Sequence, residues 1–293
     1  MLYSKLFSFI KHNKFSIVFY FFLFLTSIDS YGIENSIKVA ATCFVAKWAD
    51  KEANIDSMEN YIHHAVKDGV NLIVFPEMAL IGYGLDRDKS IVKRQAETIP
   101  GPATLRLKKL ADMYNIWVVI GMPEKDAKTS LFYDSAAIIG PYTETLSYRK
   151  THTISSEPLW ASEGDASMVF YTPWGLIGIG ICQDNYLYPS VVRFSARHGA
   201  KIHLNPTAYS GSVFTNSSII DSIYRTLYFN ILSAWVLENS IYIISSNLVG
   251  GNFIGDSVII GPARDDRGIK IYAGPSGYKA GIFSATLQLD HGN

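Results

Sequence analysis

Short apolar runs alternate with helical apolar patterns along most of this chain. Between Lys38 and Val45, Val39, Ala41 and Cys43 recur at every second position, the period of a strand. Ile55, Met58, Ile62 and Ala65 then fall three and four apart, which predicts a helix, and Gly69 sits just past its end as a cap. Leu72 to Phe75 form a second apolar run that stops at Pro76-Glu77. Strand, helix, strand in this order predicts a crossover unit. The pattern then repeats. Gly101-Pro102 opens a helix with Leu107, Leu110, Ala111 and Tyr114 on one face, and Trp117 to Ile120 is the next strand. Ala136 to Ile139 and Thr145 to Tyr148 read as a hairpin around Pro141-Tyr142-Thr143-Glu144, and its second arm runs straight into Arg149-Lys150.

The second half is organised around Trp174 to Thr207. Ile177 to Ile181 is a buried strand in which Ile alternates with Gly, an arrangement that lets another layer approach closely. It ends at Cys182. Gln183, Asp184 and Asn185 follow, then Pro189 opens a helix carrying Val191, Val192 and Phe194 and closing near Gly199. Ile202 to Leu204 is another buried strand, ending at Asn205-Pro206. A long helix runs from Ser217 or Ser218 through Glu238, with Ile219, Ile223, Leu227, Ile231, Ala234 and Leu237 as its expected buried stripe. Tyr242 to Ser245, Ser257 to Ile260, Ile269 to Tyr272 and Ile282 to Leu287 are the closing strands, with a turn at Asp265-Asp266-Arg267-Gly268. Neither a repeat nor a linker interrupts this order, so one α/β domain is expected.

At 293 residues the chain has ample length for a core, and its 26 acidic against 26 basic residues give no bulk field to draw in nucleic acid or an anionic membrane. The N-terminus differs in kind. Lys5, Lys11 and Lys14 precede an apolar run from Phe15 to Leu25, broken only by Ser16, and a small polar patch with Ser27 and Ser30 follows. That order is the one a secretory signal has, and the run is short of the ~20 residues a membrane span needs. Residues 1–30 are therefore read as a signal peptide, or as an anchor if uncleaved, and the protein is expected to be exported. The only cysteines are Cys43 and Cys182, so a zinc site is not expected. Export would permit a disulfide between them, at the cost of the one thiol placed for chemistry.

Three reactive side chains stand at equivalent places: Glu77, Lys150 and Cys182 each end a strand just before a loop. In α/β folds this carboxyl edge is where ligands bind, and amides that open the next helix favour a thiolate or an oxyanion there. Taken singly, each residue is as readily a packing thiol, a surface lysine or a solvent-facing carboxylate. The pattern lapses from Thr151 to Ala166, a loop long enough to be functional, containing Glu157, Trp160 and Asp165.

Taken together, the segments Phe75-Pro76-Glu77-Met78, Tyr148-Arg149-Lys150-Thr151-His152 and Gly180-Ile181-Cys182-Gln183-Asp184 resemble the nitrilase, or carbon–nitrogen hydrolase, superfamily. Arg193, Gly199-Ala200, Asn205-Pro206-Thr207, Glu238-Asn239, Asn247 and Gly255-Asp256-Ser257 support the likeness in order and spacing. The resemblance implies a four-layer αββα sandwich over residues 31–293, commonly dimerised through helices, with neither metal nor organic cofactor. It implies Cys182 as nucleophile, Glu77 as general base and Lys150 as stabiliser of the tetrahedral intermediate. It also implies that Glu157 positions the lysine and the substrate, and that the backbone amide of Gln183 donates to the oxyanion. A thiol is mostly protonated at neutrality, so a base that takes its proton and a cation that meets the new charge suit attack on an amide or nitrile carbon. Gln183-Asp184 looks closer to amidase branches of the family, whereas Glu157 to Asp165 looks closer to the nitrilase branch. The first reading is an amidase acting on a small carboxamide or carbamoyl compound; a nitrilase is the alternative, and a non-catalytic binder of small amides is the reading from another class. The loop Tyr83 to Ser90 and the segment Tyr209 to Asn216 are the expected pocket walls.

Overall fold

The computed structural model describes residues 34–84, 86–211, 218–263 and 268–289. Its first half gives β1 (Ser36–Cys43), α1 (Lys51–Lys67), β2 (Leu72–Val74), α2 (Lys89–Gln95), α3 (Pro102–Tyr114), β3 (Trp117–Lys125), β4 (Phe132–Ile139) and β5 (Leu146–Arg149). A 3₁₀ turn at Glu157–Leu159 leads to β6 (Met168–Thr172), β7 (Gly175–Ile179), α4 (Gln183–Leu187), α5 (Pro189–Arg197), β8 (Ile202–Thr207) and α6 (Ser218–Asn239). The chain closes with β9 (Tyr242–Asn247), the short pair β10 (Val249–Gly250) and β11 (Phe253–Ile254), β12 (Val258–Pro262), β13 (Ile269–Ala273) and β14 (Gly281–Gln288). The expected signal segment, residues 1–30, lies outside the described residues, as do part of the expected pocket wall before α6 and most of the turn before β13.

Two six-stranded sheets carry the fold, ordered β14-β1-β2-β3-β4-β5 and β13-β12-β9-β8-β7-β6. Each has three parallel strands at its centre, β1-β2-β3 and β7-β8-β9, with antiparallel strands outside them. Parallel strands need crossover helices, and those helices cover the outer faces. Ile55, Met58 and Ile62 of α1 and Leu107 of α3 pack on Ile73, Val118 and Ile120. Val192 of α5 and Tyr228, Leu232 and Trp235 of α6 pack on Ile243 and Ile260. Between the sheets, Val39, Val74 and Val119 meet Ile177, Ile179, Leu204 and Ile244. Each such side chain contributes about 1.5–3 kcal/mol by leaving water. The result is the αββα sandwich, with the apolar strands buried on both faces as their unbroken runs require.

Three details differ from the sequence expectation. The strand at Trp117 continues to Lys125, because β4 pairs with it over eight positions from Val118 to Lys125. β4 itself starts four residues before the expected hairpin arm. The expected stripe of α6 is wrong: Ile223, Leu227 and Leu237 are 52%, 46% and 62% exposed, and Tyr228, Leu232, Trp235 and Val236 are buried instead. α6 is apolar on two faces, so periodicity alone did not choose between them. Among the described residues, no helix is long and apolar enough to cross a membrane.

Candidate active site

The carboxyl ends of β2, β5, β7 and β8 converge, and what they bring together is a buried cation. Lys150, the residue after β5, is 1% exposed. Its ammonium lies 2.6 Å from Glu77 Oε1, 2.8 Å from Glu157 Oε1 and 3.6 Å from Asp134 Oδ2. Burial alone would lower the lysine's pKa. The three carboxyl groups outweigh it and hold the pKa well above the ordinary value. Oxygens of Glu77, Asp134 and Glu157 lie within 4.8 Å of one another, a spacing suited to a metal ion, and the cation among them is that ammonium.

Each carboxyl is held differently. Glu77 follows β2 after Phe75-Pro76, and its Oε2 accepts the Ala208 amide at 2.8 Å. Glu157, inside the 3₁₀ turn, accepts the Tyr83 hydroxyl at 2.7 Å and the Ile154 amide at 2.9 Å. Desolvation raises the pKa of Glu157, against the pull of Lys150. Asp134, in β4, has no hydrogen bond on either carboxyl oxygen. Burial first, and the neighbouring Glu77 second, push its pKa well up, and Lys150 pulls the other way.

Cys182 sits between β7 and α4 in a conformation unusual for a residue with a side chain, φ 47° and ψ −105°. Strain of this kind persists only where the surroundings over-determine it. Here the Cys182 amide donates to the Pro206 carbonyl at 3.0 Å, and the Cys182 carbonyl accepts the Asn185 amide at 2.9 Å. Glu77, Lys150, the Thr207 hydroxyl and the Ala208 amide set the electrostatic surroundings of the thiol, the Ala208 amide hydrogen itself going to Glu77. Desolvation and then the negative Glu77 push its pKa up, while Lys150 and the two hydrogen-bond donors pull it down. Gln183, half-buried, opens α4, so its amide lies in a first turn that lacks intrahelical acceptors.

Asp184 ties these parts together. It is fully buried. Its Oδ2 accepts the Tyr148 hydroxyl at 2.8 Å, the Ile181 amide at 3.1 Å and the Thr151 amide at 3.3 Å. Its Oδ1 accepts the Thr151 hydroxyl, the His152 amide and His152 Nδ1, each at 2.9 Å. One carboxylate thus pins the backbone after Lys150 to the turn at Cys182.

Glu77, Lys150 and Glu157 are therefore in direct contact, and Cys182 faces the first two. Sequence reasoning missed Asp134, whose signal was an acid among the apolar residues of β4. It read Tyr83 only as a pocket wall, while the structure also joins it to Glu157. Both cysteines are free thiols, Cys43 buried in β1.

A thiol, a carboxylate and an ammonium gathered at one strand edge are the equipment of a covalent hydrolase. The chain belongs to the carbon–nitrogen hydrolase family, whose profile matches residues 36–291, and it is accordingly a hydrolase of non-peptide carbon–nitrogen bonds. It is 28% identical over 263 residues to a probable nitrilase of Schizosaccharomyces pombe, covering 86% of this chain and 89% of that one. It is 26% identical over 251 residues to an omega-amidase of Saccharomyces cerevisiae, covering 78% and 81%. The crystal structure of Saccharomyces cerevisiae Nit3, described as a member of branch 10 of the nitrilase superfamily, superposes with a TM-score of 0.74 at 24% identity, covering 87% of this chain and 91% of that one.

Proposed function

We propose that the protein is an amidase that hydrolyses a small carboxamide or carbamoyl compound through a thioester on Cys182. The observation that carries this is the Lys150 ammonium, buried and bonded to Glu77 at 2.6 Å, beside the strained thiol. Glu77 takes the thiol proton as sulfur attacks the carbonyl carbon. The carbonyl oxygen becomes an oxyanion and is met by the Lys150 ammonium and the Gln183 amide. The protonated Glu77 gives its proton to the departing nitrogen, and ammonia or an amine leaves. Glu77 then takes a proton from water, whose oxygen attacks the thioester carbon; the carbon–sulfur bond breaks, the acid leaves, and Glu77 returns the proton to the Cys182 sulfur. Glu157 and Tyr83 hold the lysine in place.

The omega-amidase relative supports the amide substrate. The nitrilase reading keeps the support of the Schizosaccharomyces pombe relative. Ammonia release from matched aliphatic and aromatic amides and nitriles, with Cys182→Ala as control, tests the proposal. Turnover of amides by the parent and not by the variant is expected. Turnover of nitriles alone overturns the amide reading, and a Cys182→Ala variant as active as the parent overturns the nucleophile.

Two further proposals rest on the same reading. The exposed apolar face of α6 seats a second copy of the chain, giving a homodimer or a larger homo-oligomer. Residues 1–30 direct export, which N-terminal sequencing of the protein recovered outside the cytoplasm would check.

A further inference from the structure

Behind Cys182 lies a chain of buried polar side chains that the proposed chemistry does not use. It runs from Ser195 on α5 through His203 on β8, Asn185 and Asn205 to Tyr186 and Thr207. Ser195, His203, Asn185, Asn205 and Thr207 are at most 1% exposed, and Tyr186 is 7% exposed.

One bond fixes the direction of all the others. Asn185 Nδ2 lies 2.8 Å from the Gly180 carbonyl, which can only accept. The amide group is therefore oriented, and Asn185 Oδ1 faces His203 Nε2 at 2.7 Å. That ring nitrogen must carry the proton. Burial pushes the pKa of His203 down to about 3, so the ring is neutral and its other nitrogen is bare. The Ser195 hydroxyl therefore donates to His203 Nδ1 at 2.9 Å. The second hydrogen of Asn185 Nδ2 goes to Asn205 Oδ1 at 2.7 Å. Asn205 Nδ2 in turn donates to the Tyr186 hydroxyl at 3.0 Å. Tyr186 passes its own proton toward Thr207 Oγ1 at 3.0 Å. Thr207 follows Pro206, whose carbonyl accepts the Cys182 amide at 3.0 Å, so the remaining hydroxyl hydrogen of Thr207 stands beside the Cys182 turn.

We propose that this one-way relay, from Ser195 to Thr207, is built to stabilise the Cys182 thiolate by bringing the Thr207 hydroxyl to the sulfur as donor, with Tyr186, Asn205, Asn185 and His203 as positioning residues. The inference rests on Cys182 as the nucleophile. Hydrogen bonds that share one sense polarise one another, so each donor strengthens the next in a low-dielectric interior. The relay supplies negative-charge stabilisation without a second buried cation beside Lys150. It also explains the Gly-rich strand. A Cβ at Gly178 would collide with Ser195, and one at Gly180 with the Asn185 amide. The two glycines make room for the polar side chains of the relay.

The test reads the thiol itself. Carboxymethylamidation of Cys182 by iodoacetamide is followed against pH on the full chain, with the site of modification assigned by peptide mass. Thr207→Val removes the last donor with little change in shape. Tyr186→Phe removes the preceding hydroxyl and keeps the ring that packs on Tyr209, whose centroid is 4.9 Å away. Thr207→Ser restores a hydroxyl. A hydrogen bond to a charged group is worth roughly tenfold or more, so Thr207→Val is expected to slow alkylation near neutral pH by about that factor and to move its midpoint up by about one pH unit. Tyr186→Phe is expected to shift it the same way by less, and Thr207→Ser to titrate as the parent. If Thr207→Val and Tyr186→Phe lower the melting temperature while leaving the alkylation profile unchanged, the polar chain is structural only and the proposal fails. A shift in Thr207→Val with none in Tyr186→Phe also overturns the relay. Alkylation needs no substrate, so a failed amidase reading leaves this outcome legible.

Discussion

Asp134→Asn turns the charge arrangement of the site into a measurable slope. Asp134 is 1% exposed and its nearest cation is Lys150, at 3.6 Å. Burial and then Glu77 raise its pKa well above the ordinary carboxyl value of 3.8. In the unfolded chain the same group titrates normally. Above about pH 4 the fold therefore keeps a proton that the unfolded chain releases. The stability associated with that proton is fully present at low pH and is lost as pH climbs toward the folded pKa. The loss is about 1.4 kcal/mol for each pH unit over that window. Asparagine matches the protonated acid in size and has no such proton to lose. The Asp134→Asn variant is thus expected to gain on the parent as pH rises above about 4, by at most about 1.4 kcal/mol per pH unit and only up to the folded pKa. For a chain of this size that is about 3 °C in melting temperature per pH unit.

Thermal unfolding of both proteins by circular dichroism, from about pH 4.5 to about pH 7, reads the difference directly. Turnover should change little, because a neutral group replaces a neutral group. A gap that is constant with pH, or that narrows as pH rises, refutes the protonated acid. It would make Asp134 an ionised partner of Lys150.

Three other outcomes follow from the same geometry. Glu157→Gln keeps the shape of the lysine's partner and removes its charge, so kcat is expected to fall by roughly ten- to a hundredfold with KM little changed; a rise in KM alone would make Glu157 a substrate contact. Asp184→Ala strands six donors in the interior and is expected to lower unfolding free energy by about 3–5 kcal/mol in a urea titration, whereas a loss below about 1 kcal/mol would show that the clamp matters little. Leu227→Glu combined with Leu237→Glu places charge on the exposed face of α6, and sedimentation is expected to show a dimeric parent and a monomeric variant; a parent that is already monomeric removes the dimer.

Glu77, Lys150, Cys182 and Glu157 were legible because each interrupts a pattern. Three close apolar strand runs, and the fourth stands in a stretch with no period. Asp134 was not, since it lies within β4, upstream of the apolar residues Ala136 to Ile139 that identified the strand. The alternation of Ile and Gly in β7 was legible as close approach. What approaches, Ser195 and the Asn185 amide, was not, because the helix and the turn that carry them meet the strand only in the folded chain. The buried face of α6 was misread for a related reason. Ile223, Leu227 and Leu237 satisfy helical spacing as well as Tyr228, Leu232 and Trp235 do, and only the sheet beneath decides which set is covered. Asp184 looked like a marker of substrate class, and six hydrogen bonds give it a mechanical role that any substrate would need.

The electrostatics of the site favour one economical reading of why the lysine is where it is. The ammonium of Lys150 lies 2.6 Å from Glu77 and 2.8 Å from Glu157, where it offsets negative charge on either carboxyl. Burial first and negative charge on Glu77 second raise the thiol's pKa, and Lys150 lowers it. Moving the thiol proton to Glu77 leaves the net charge of the site unchanged, because a thiolate appears as a carboxylate disappears. Addition to a carbonyl then shifts the charge from sulfur to oxygen, toward the ammonium. At no stage does the site have to create a second buried charge, whose desolvation would cost several kcal/mol. A neutral residue in place of Lys150 would break this balance at every stage. The loss expected from Lys150→Met is accordingly as much one of folding as of turnover, since two carboxylates would remain buried with no cation between them.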